Sequence, residues 1–70
     1  MRLRASWKYE PLGLRFCHHS KPITQYRQEH LLEVYDSADN LKYSEIYTSA
    51  TTMHREIREL VKKWETEDDE

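Results

Sequence analysis

The chain has 70 residues, of which 34% are charged, and its formal net charge at pH 7 is -2. A chain this short forms one small domain with a thin core, so oligomerisation is a common source of added stability. Its single cysteine excludes an internal disulfide, and its single glycine excludes a glycine-rich phosphate-binding loop. The N-terminus lacks the apolar run of a signal peptide, and no apolar stretch reaches the roughly 20 residues that span a bilayer. We therefore expect a cytoplasmic protein without a membrane partner.

The two halves of the chain carry opposite charge. Residues 1–30 have a net charge of +4 and residues 31–70 a net charge of -6. This asymmetry is typical of a nucleic-acid footprint in the basic half, or of two halves that neutralise each other in the fold. We favour neutralisation, because the strongest acidic run is only the C-terminal ETEDDE. Residues 1–66 are taken as the single domain, and residues 67–70 as an acidic tail that we expect to be disordered.

The first predicted element is a strand over residues 2–9. Its side chains alternate, with Leu3 and Trp7 on the apolar side and basic residues on the other. The segment EPLG then predicts a turn, because it contains Pro11 and the only glycine, Gly13.

A second strand is predicted for LRFCHH, residues 14–19, with Leu14 and Phe16 on its buried side. The segment SKP ends this strand. Residues 23–28 fit either a loop or the beginning of the next strand.

A hairpin is predicted for residues 30–48, with a three-residue loop of Ala38, Asp39 and Asn40. Asn40 tolerates the left-handed conformation that such a loop needs. Charge and aromatic pairing across the strands favour one register over a slipped one. That register places the following residues opposite each other: Asp36 and Lys42, Tyr35 and Tyr43, Val34 and Ser44, Glu33 and Glu45, Leu32 and Ile46, Leu31 and Tyr47.

The predicted register gives the hairpin an aliphatic face and a tyrosine-rich face. Glu33 and Glu45 lie opposite each other in the middle of the tyrosine-rich face, and two like charges so placed would not lie beneath a helix. The aliphatic face is therefore predicted to be the core, and the tyrosine-rich face to point outward. The residues of this outward face are Leu31, Glu33, Tyr35, Tyr43, Glu45 and Tyr47.

The last element is an amphipathic helix over residues 48–65, with Ser49 and the neighbouring threonines as candidate N-caps. Its apolar stripe packs on the sheet and supplies the second layer of the domain. The predicted fold is α+β, in the order β-β-β-β-α: an antiparallel sheet of three to four strands with a C-terminal helix on one face. The predicted core comprises Leu3, Trp7, Leu14, Phe16, Leu32, Val34, Ile46, Met53, Ile57, Leu60, Val61 and Trp64.

The segment FCHHSK brings together Cys17, His18 and His19, the residue types of nucleophilic and metal sites. Neighbouring strand residues point to opposite faces, so Cys17 and His18 do not form a nucleophile–base pair. Cys17 and His19 share a face, but their Cβ atoms are roughly 6–7 Å apart. A zinc site would further require His30 and His54 from distant elements. We predict no catalytic site, no metal site and no cofactor, with Cys17 as a small semi-buried side chain.

Two binding functions remain for a protein that we expect not to be an enzyme. The first is binding of another protein, or of a second copy as a homodimer, through the outward tyrosine-rich face. Small size, high charge and the lack of a catalytic motif suit a regulator or inhibitor of the kind that phages and plasmids carry.

The second binding function is a nucleic-acid-binding module that uses the basic side of the first strands, a less favoured alternative. Its candidate residues are Arg2, Arg4, Lys8 and Arg15. Acidic residues on the same face would repel a phosphate backbone.

Overall fold

The computed structural model describes residues 2–68 and confirms the predicted α+β fold. One antiparallel sheet has its four strands in chain order, and a single C-terminal helix follows it. The elements are β1 (Arg2–Tyr9), β2 (Leu14–Pro22), β3 (Gln28–Tyr35), β4 (Leu41–Tyr47) and α1 (Ala50–Asp68). Of the ambiguous residues 23–28, residues 23–27 form the connection between β2 and β3, and Gln28 begins β3.

The turn between β1 and β2 is the one that the sequence predicts. A single 3₁₀ turn, Glu10–Leu12, has Pro11 near its start, and Gly13 follows with a φ of 63°. The N–H of Gly13 donates to the carbonyl of Glu10 at 3.1 Å. Glycine adopts this left-handed conformation without the steric penalty of a Cβ atom, which allows β2 to return directly along β1.

Strand β1 contains an irregularity that alternation does not predict. Ala5 lies opposite His18 and Leu3 lies opposite His19, so Arg4 is an additional residue in β1. An extra residue reverses the side-chain alternation beyond it. Leu3 therefore lies on the face away from α1 and is 54% exposed, and its prediction as a core residue is wrong.

The β3–β4 turn is longer than predicted. The N–H of Asp36 donates to the carbonyl of Asn40 at 3.0 Å. The Asp36 carboxylate accepts the N–H groups of Ala38 and Asn40, each at 2.9 Å. Asp39, rather than Asn40, has the positive φ, 64°. These bonds to backbone amides lower the pKa of Asp36, because they stabilise its charged form.

The longer turn pairs Tyr35 with Leu41, and an irregularity after it makes Lys42 an additional residue in β4. The rest of the β3–β4 register therefore lies one residue from the predicted one. Leu31 lies opposite Ile46, Leu32 opposite Glu45, and Glu33 opposite Ser44. The predicted opposition of Glu33 and Glu45 is therefore wrong. A one-residue slip moves every side chain of a strand to the other face of the sheet.

The slip changes which β4 side chains pack beneath the helix. Tyr43 and Tyr47 pack against the core, so their prediction as outward residues is wrong. Ile46 is 52% exposed on the opposite face, so its prediction as a core residue is also wrong. The Tyr43 and Tyr47 hydroxyl oxygens share a hydrogen bond of 2.6 Å. Burial, and then this bond, raise the pKa of Tyr47.

The core lies between α1 and one face of the sheet. Trp7 stacks on Phe16 with ring centroids 5.4 Å apart, and Tyr43 meets Trp64 edge-on at 6.2 Å. Seven predicted core residues are confirmed as buried: Leu14, Phe16, Leu32, Val34, Met53, Leu60 and Trp64. Partly buried around them are the predicted Trp7, Ile57 and Val61 and the unpredicted Tyr9, Leu12, Tyr43 and Tyr47.

Helix α1 begins where the sequence predicts. The carbonyl of Ser49 accepts the N–H of Met53 at 3.1 Å, and its Oγ accepts the N–H of Thr52 at 3.4 Å. The helix continues to Asp68, so residues 67 and 68 of the predicted tail are helical. Residues 69 and 70 lie outside the described residues. Within residues 2–68, no helix has both the length and the apolar character needed to cross a membrane.

Candidate functional site

The sheet face opposite α1 is not covered by another element of the described chain, and we call it the open face. The strand registers place twelve of its side chains in three rows that each cross all four strands. The first row holds Leu3, His19, Leu31 and Ile46, the second holds Ser6, Cys17, Glu33 and Ser44, and the third holds Lys8, Arg15, Tyr35 and Leu41.

The centre of the open face is a hydrogen-bonded network around Glu33. One Glu33 oxygen lies 2.8 Å from Nε2 of His19, and the other accepts the hydroxyl of Tyr35 at 3.2 Å. His19 and Glu33 side chains are 24% and 23% exposed. Burial, and then the bond to Glu33, raise the pKa of Tyr35, since a nearby carboxylate disfavours the phenolate. Both oxygens of the central carboxylate therefore have a partner within the chain.

Cys17 occupies the second row beside this network. It is 7% exposed, and the Oγ of Ser6 lies 3.8 Å from its Sγ. Its cross-strand neighbour on the other side is Glu33. Cys17 is thus more buried than predicted, although no helix covers it, because the surrounding side chains shield it.

Arg15 fixes one end of the third row. Its guanidinium carbon lies 4.8 Å from the centroid of the Tyr35 ring, and its Nη2 lies 3.1 Å from the Asp39 carboxylate. A cation over an aromatic face is attracted by the ring quadrupole. Arg15 therefore connects the β3–β4 turn to the aromatic part of the open face.

A second pair of histidines lies on the helix side. Nε2 of His18 is 2.9 Å from Nδ1 of His30, and the ring centroids are 5.1 Å apart. Burial, and then repulsion from His30, lower the pKa of His18. The sheet separates this pair from Cys17 and His19, and within residues 2–68 no three His, Cys, Asp or Glu residues are placed to hold a metal ion.

The basic residues of the first two strands do not share one face, as the nucleic-acid alternative requires. Arg2 lies opposite Ser20, on the helix side of the sheet. Arg4 is the additional residue of the irregularity, and its charge helps to lower the pKa of His18. Lys8 and Arg15 alone, among the four predicted residues, lie on the open face. The prediction that Arg2 points outward with Lys8 is wrong.

Three exposed aliphatic residues at the margin of the open face were not predicted as surface residues. Leu3, Leu41 and Ile46 are 54%, 55% and 52% exposed. Asp36, whose side chain favours a turn that closes on its own backbone two residues later, could have indicated the longer turn. The face of Ile46 depends instead on the additional residue Lys42 in β4, which alternation does not reveal.

A cleft of about 620 Å³ lies between the β2–β3 connection and the start of α1. Its walls include Ile23 and Tyr26, which are 49% and 89% exposed, together with Arg27 and Ser49. A side chain as exposed as Tyr26 makes few contacts with the rest of the chain. The open face, by contrast, has its central side chains fixed by hydrogen bonds.

Comparison of the chain with protein-family models, with curated proteins and with solved structures finds no match. The basis for a function is therefore the chemistry of the three rows. They combine a fixed polar centre with exposed aliphatic margins and an Arg15–Tyr35 pair.

Proposed function

We propose that this protein is a non-enzymatic cytoplasmic binding protein that contacts a protein surface through its open face. The observation that carries the proposal is the exposure of Leu3, Leu41 and Ile46 on a sheet face that no other element covers. Exposed apolar side chains on an uncovered sheet face are typical of protein-interaction surfaces. Tyrosine and arginine, which both lie in the third row, are enriched among residues that dominate binding energy.

A protein surface fits the open face better than nucleic acid does. Two of its twelve residues, Lys8 and Arg15, are basic, and Arg15 is already paired with Asp39. Nucleic-acid binding depends on several cations that neutralise phosphates. The central carboxylate of Glu33 would repel a phosphate backbone. The additional residue Arg4 in β1 places Arg2 on the helix side, so the first two strands do not present one basic face.

The central polar residues support a structural role for the network. His19 and Tyr35 already occupy the two oxygens of Glu33, and Cys17 is shielded from solvent. A general base or nucleophile must reach a substrate directly or through one water. Binding without chemistry is the action of a regulator or inhibitor, which is the role that we assign to the open face.

Site-specific photo-cross-linking in the source cells tests this proposal. A photoreactive residue replaces Ser44, which is exposed on the open face, and in a matched control it replaces Arg58, which is exposed on α1. We expect covalent protein adducts from position 44 and few from position 58. Ile46→Lys should abolish the adducts, because it places a charge in the aliphatic margin.

The adducts also distinguish the two partner classes. A protein in the adduct, whether another copy or a different chain, supports the proposal. Adducts that contain only nucleic acid, equal labelling from both positions, or no adduct from position 44 would contradict it.

A further inference from the structure

We propose that the occupant of the open face is a second copy of this chain, related by a two-fold axis that runs along the strands between β2 and β3. This inference rests on the proposed function and names its partner. Two-fold homodimers need only one self-complementary patch, and stacked sheets keep their strands within about 30° of each other. The three rows provide such a patch.

The first row is complementary to itself under this axis. The rotation exchanges β1 with β4 and β2 with β3, so each row faces its own copy. Leu3 then faces the partner's Ile46, and both are about half exposed in the single chain. His19 faces the partner's Leu31. Burial of these aliphatic side chains removes the largest apolar part of the open face from water.

The third row is also complementary to itself. Arg15 faces the partner's Tyr35, and the guanidinium already lies over the Tyr35 ring within its own chain. A ring between two guanidinium groups, or a guanidinium between two rings, retains the same favourable cation–π geometry. Lys8 faces the partner's Leu41, where its aliphatic stem can cover the leucine while the ammonium group remains in water.

The other two-fold axis that stacks the two open faces runs across the strands, and charge disfavours it. That axis places the first row on the third, so His19 would face the partner's Arg15. It also places Glu33 directly over the partner's Glu33. Like charges in contact at an interface destabilise it. The axis along the strands instead places Glu33 over the partner's Cys17.

Burial of the central carboxylate is tolerable in this arrangement. Glu33 is already hydrogen-bonded through both oxygens and is 23% exposed. Among the described residues, no buried side-chain nitrogen or oxygen lacks a hydrogen-bond partner. Burying a paired charge still costs desolvation energy, and removing one of its partners costs more. The two hydrogen bonds of Glu33 offset part of this cost, and the remainder is one reason to expect a weak dimer.

The size of the open face suits a weak dimer. Four strands are about 19 Å across, and three rows extend about 14 Å along the strands. Side chains that protrude from the sheet add to its flat area, so such a face buries roughly 600 Å² of accessible surface per copy. This is near the lower limit of specific interfaces. We expect a dissociation constant on the order of 10 μM.

Sedimentation equilibrium from about 1 to 300 μM, spanning the expected constant, tests the dimer directly. The wild-type chain should change from monomer to dimer across this range. Ile46→Glu should raise the dissociation constant by roughly tenfold or more. Thr51→Glu adds the same charge at an exposed position on α1 and should leave the constant unchanged. Circular dichroism verifies that both variants are folded.

Cysteine cross-linking tests the axis. Stacked sheets lie about 10 Å apart, too far for a direct disulfide, so a bis-maleimide reagent of about that length is used to join facing thiols. In a Cys17→Ser background, Leu3→Cys with Ile46→Cys should give a covalent dimer with this reagent. Within one chain these positions are three strands apart, about 14 Å, and a bridge between them would give a product of monomer mass. Leu3→Cys with Lys8→Cys is the matched pair for the axis across the strands and should remain monomeric.

The outcomes separate this inference from the proposed function. A monomer at 300 μM, or preferential trapping of the Leu3–Lys8 pair, would overturn the dimer proposed here. If such a monomer still forms adducts with a different protein from position 44, the binding function stands and the occupant is a different chain. If it forms no protein adducts, both proposals fail.

Discussion

The two faces of strand β3 show how differently the two sides of this sheet are stabilised. Leu32 and Val34 point toward α1 and are fully buried. Leu31, Glu33 and Tyr35 alternate with them on the open face and are partly exposed. The helix side excludes water by packing apolar side chains against a second layer. The open face shields its centre with hydrogen bonds and a cation–π contact among its own side chains.

This difference shows how a one-helix domain can leave one sheet face available for binding. A four-stranded sheet needs a hydrophobic face to be stable, and α1 satisfies this need on one side. The Glu33 network orders the other side without burying much apolar area. Stability therefore depends mainly on the helix side, and the binding that we propose would use the open face.

Adjacent leucines on β3 provide the sharpest test of that division, and the largest expected effect. Leu32→Ala should lower the free energy of unfolding by about 2–5 kcal/mol, because it leaves a cavity in the core. Leu31→Ala should lower it by less than about 1 kcal/mol, since Leu31 lies on the open face. Urea unfolding at about 1 μM protein, below the expected dimerisation range, gives both values.

The two leucine variants are matched controls for each other, because they change the same residue type on the same strand. Equal losses of stability would show that the open face contributes as much to folding as the core does. A loss below about 1 kcal/mol for Leu32→Ala would remove the basis for the assigned core.

The overall fold was predictable because its signals are local. Met53, Leu60 and Trp64 recur at helical spacing, and this stripe alone specifies which side of α1 packs on the sheet. Alternation around Phe16 and Val34 likewise identified buried strand positions in β2 and β3. Each pattern depends on residues within one element, so no knowledge of the neighbouring element was needed.

The composition of the open face was not predictable, because it depends on two one-residue displacements. The additional residue Arg4 in β1 moves Leu3 to the open face. The additional residue Lys42 in β4 reverses the alternation beyond it, so Ile46 replaces Tyr43 and Tyr47 there. The alternation of apolar and polar residues along a strand is the same with or without such a displacement, so it does not show on which face each residue lies. The predicted tyrosine-rich composition of the outward face therefore came from the wrong register. The prediction that one sheet face points outward did not depend on that register.

Disulfide pairing across the hairpin sharpens the comparison of the two registers. In a Cys17→Ser background, Glu33→Cys with Ser44→Cys joins residues that lie directly opposite each other. Their Cα separation in an antiparallel pair, about 4.5–5.5 Å, suits a disulfide. We expect oxidation to stabilise this variant by about 2–3 kcal/mol relative to its reduced form, through closure of a loop of roughly a dozen residues.

The control for the disulfide is Glu33→Cys with Glu45→Cys, which the slipped register would place opposite each other. In the observed register these side chains point to different faces, so oxidation should give no intramolecular bond. Chemical unfolding of oxidised and reduced samples, with mass spectrometry for the bond, compares the two pairs. Efficient bonding of the control pair would restore the predicted tyrosine-rich face.

The histidines provide the subtlest contrast between the faces. His19 on the open face pairs with the carboxylate of Glu33 at 2.8 Å, whereas His18 on the helix side pairs with another imidazole, His30, at 2.9 Å. A proton on His19 strengthens its contact with an anion. The His18–His30 hydrogen bond needs one ring nitrogen as acceptor, so doubly protonated rings cannot form it.

Acid should therefore weaken the helix side through His18, the smallest of the three expected effects. Burial and the neighbouring charges of His30, His54, Arg4 and His19 lower the pKa of His18 from its ordinary 6.5. A group with a lowered folded-state pKa binds protons more tightly when unfolded. His18 therefore contributes its full stabilisation at a pH above its pKa in the unfolded chain. This stabilisation declines as the pH falls below that pKa. The effect is small because His18 remains partly accessible to solvent.

Melting temperatures between pH 5 and 8, compared among three chains at about 1 μM, measure this contribution. The wild-type melting temperature should fall as the pH drops below 6.5, and His18→Gln should flatten that fall because it removes the titrating group. His54→Gln removes an exposed imidazole near His18 and should retain most of the dependence of the melting temperature on pH.

NMR titration of the wild-type imidazoles should place the His18 midpoint below 6.5. An unchanged slope in His18→Gln would show that the acid sensitivity arises elsewhere in the chain.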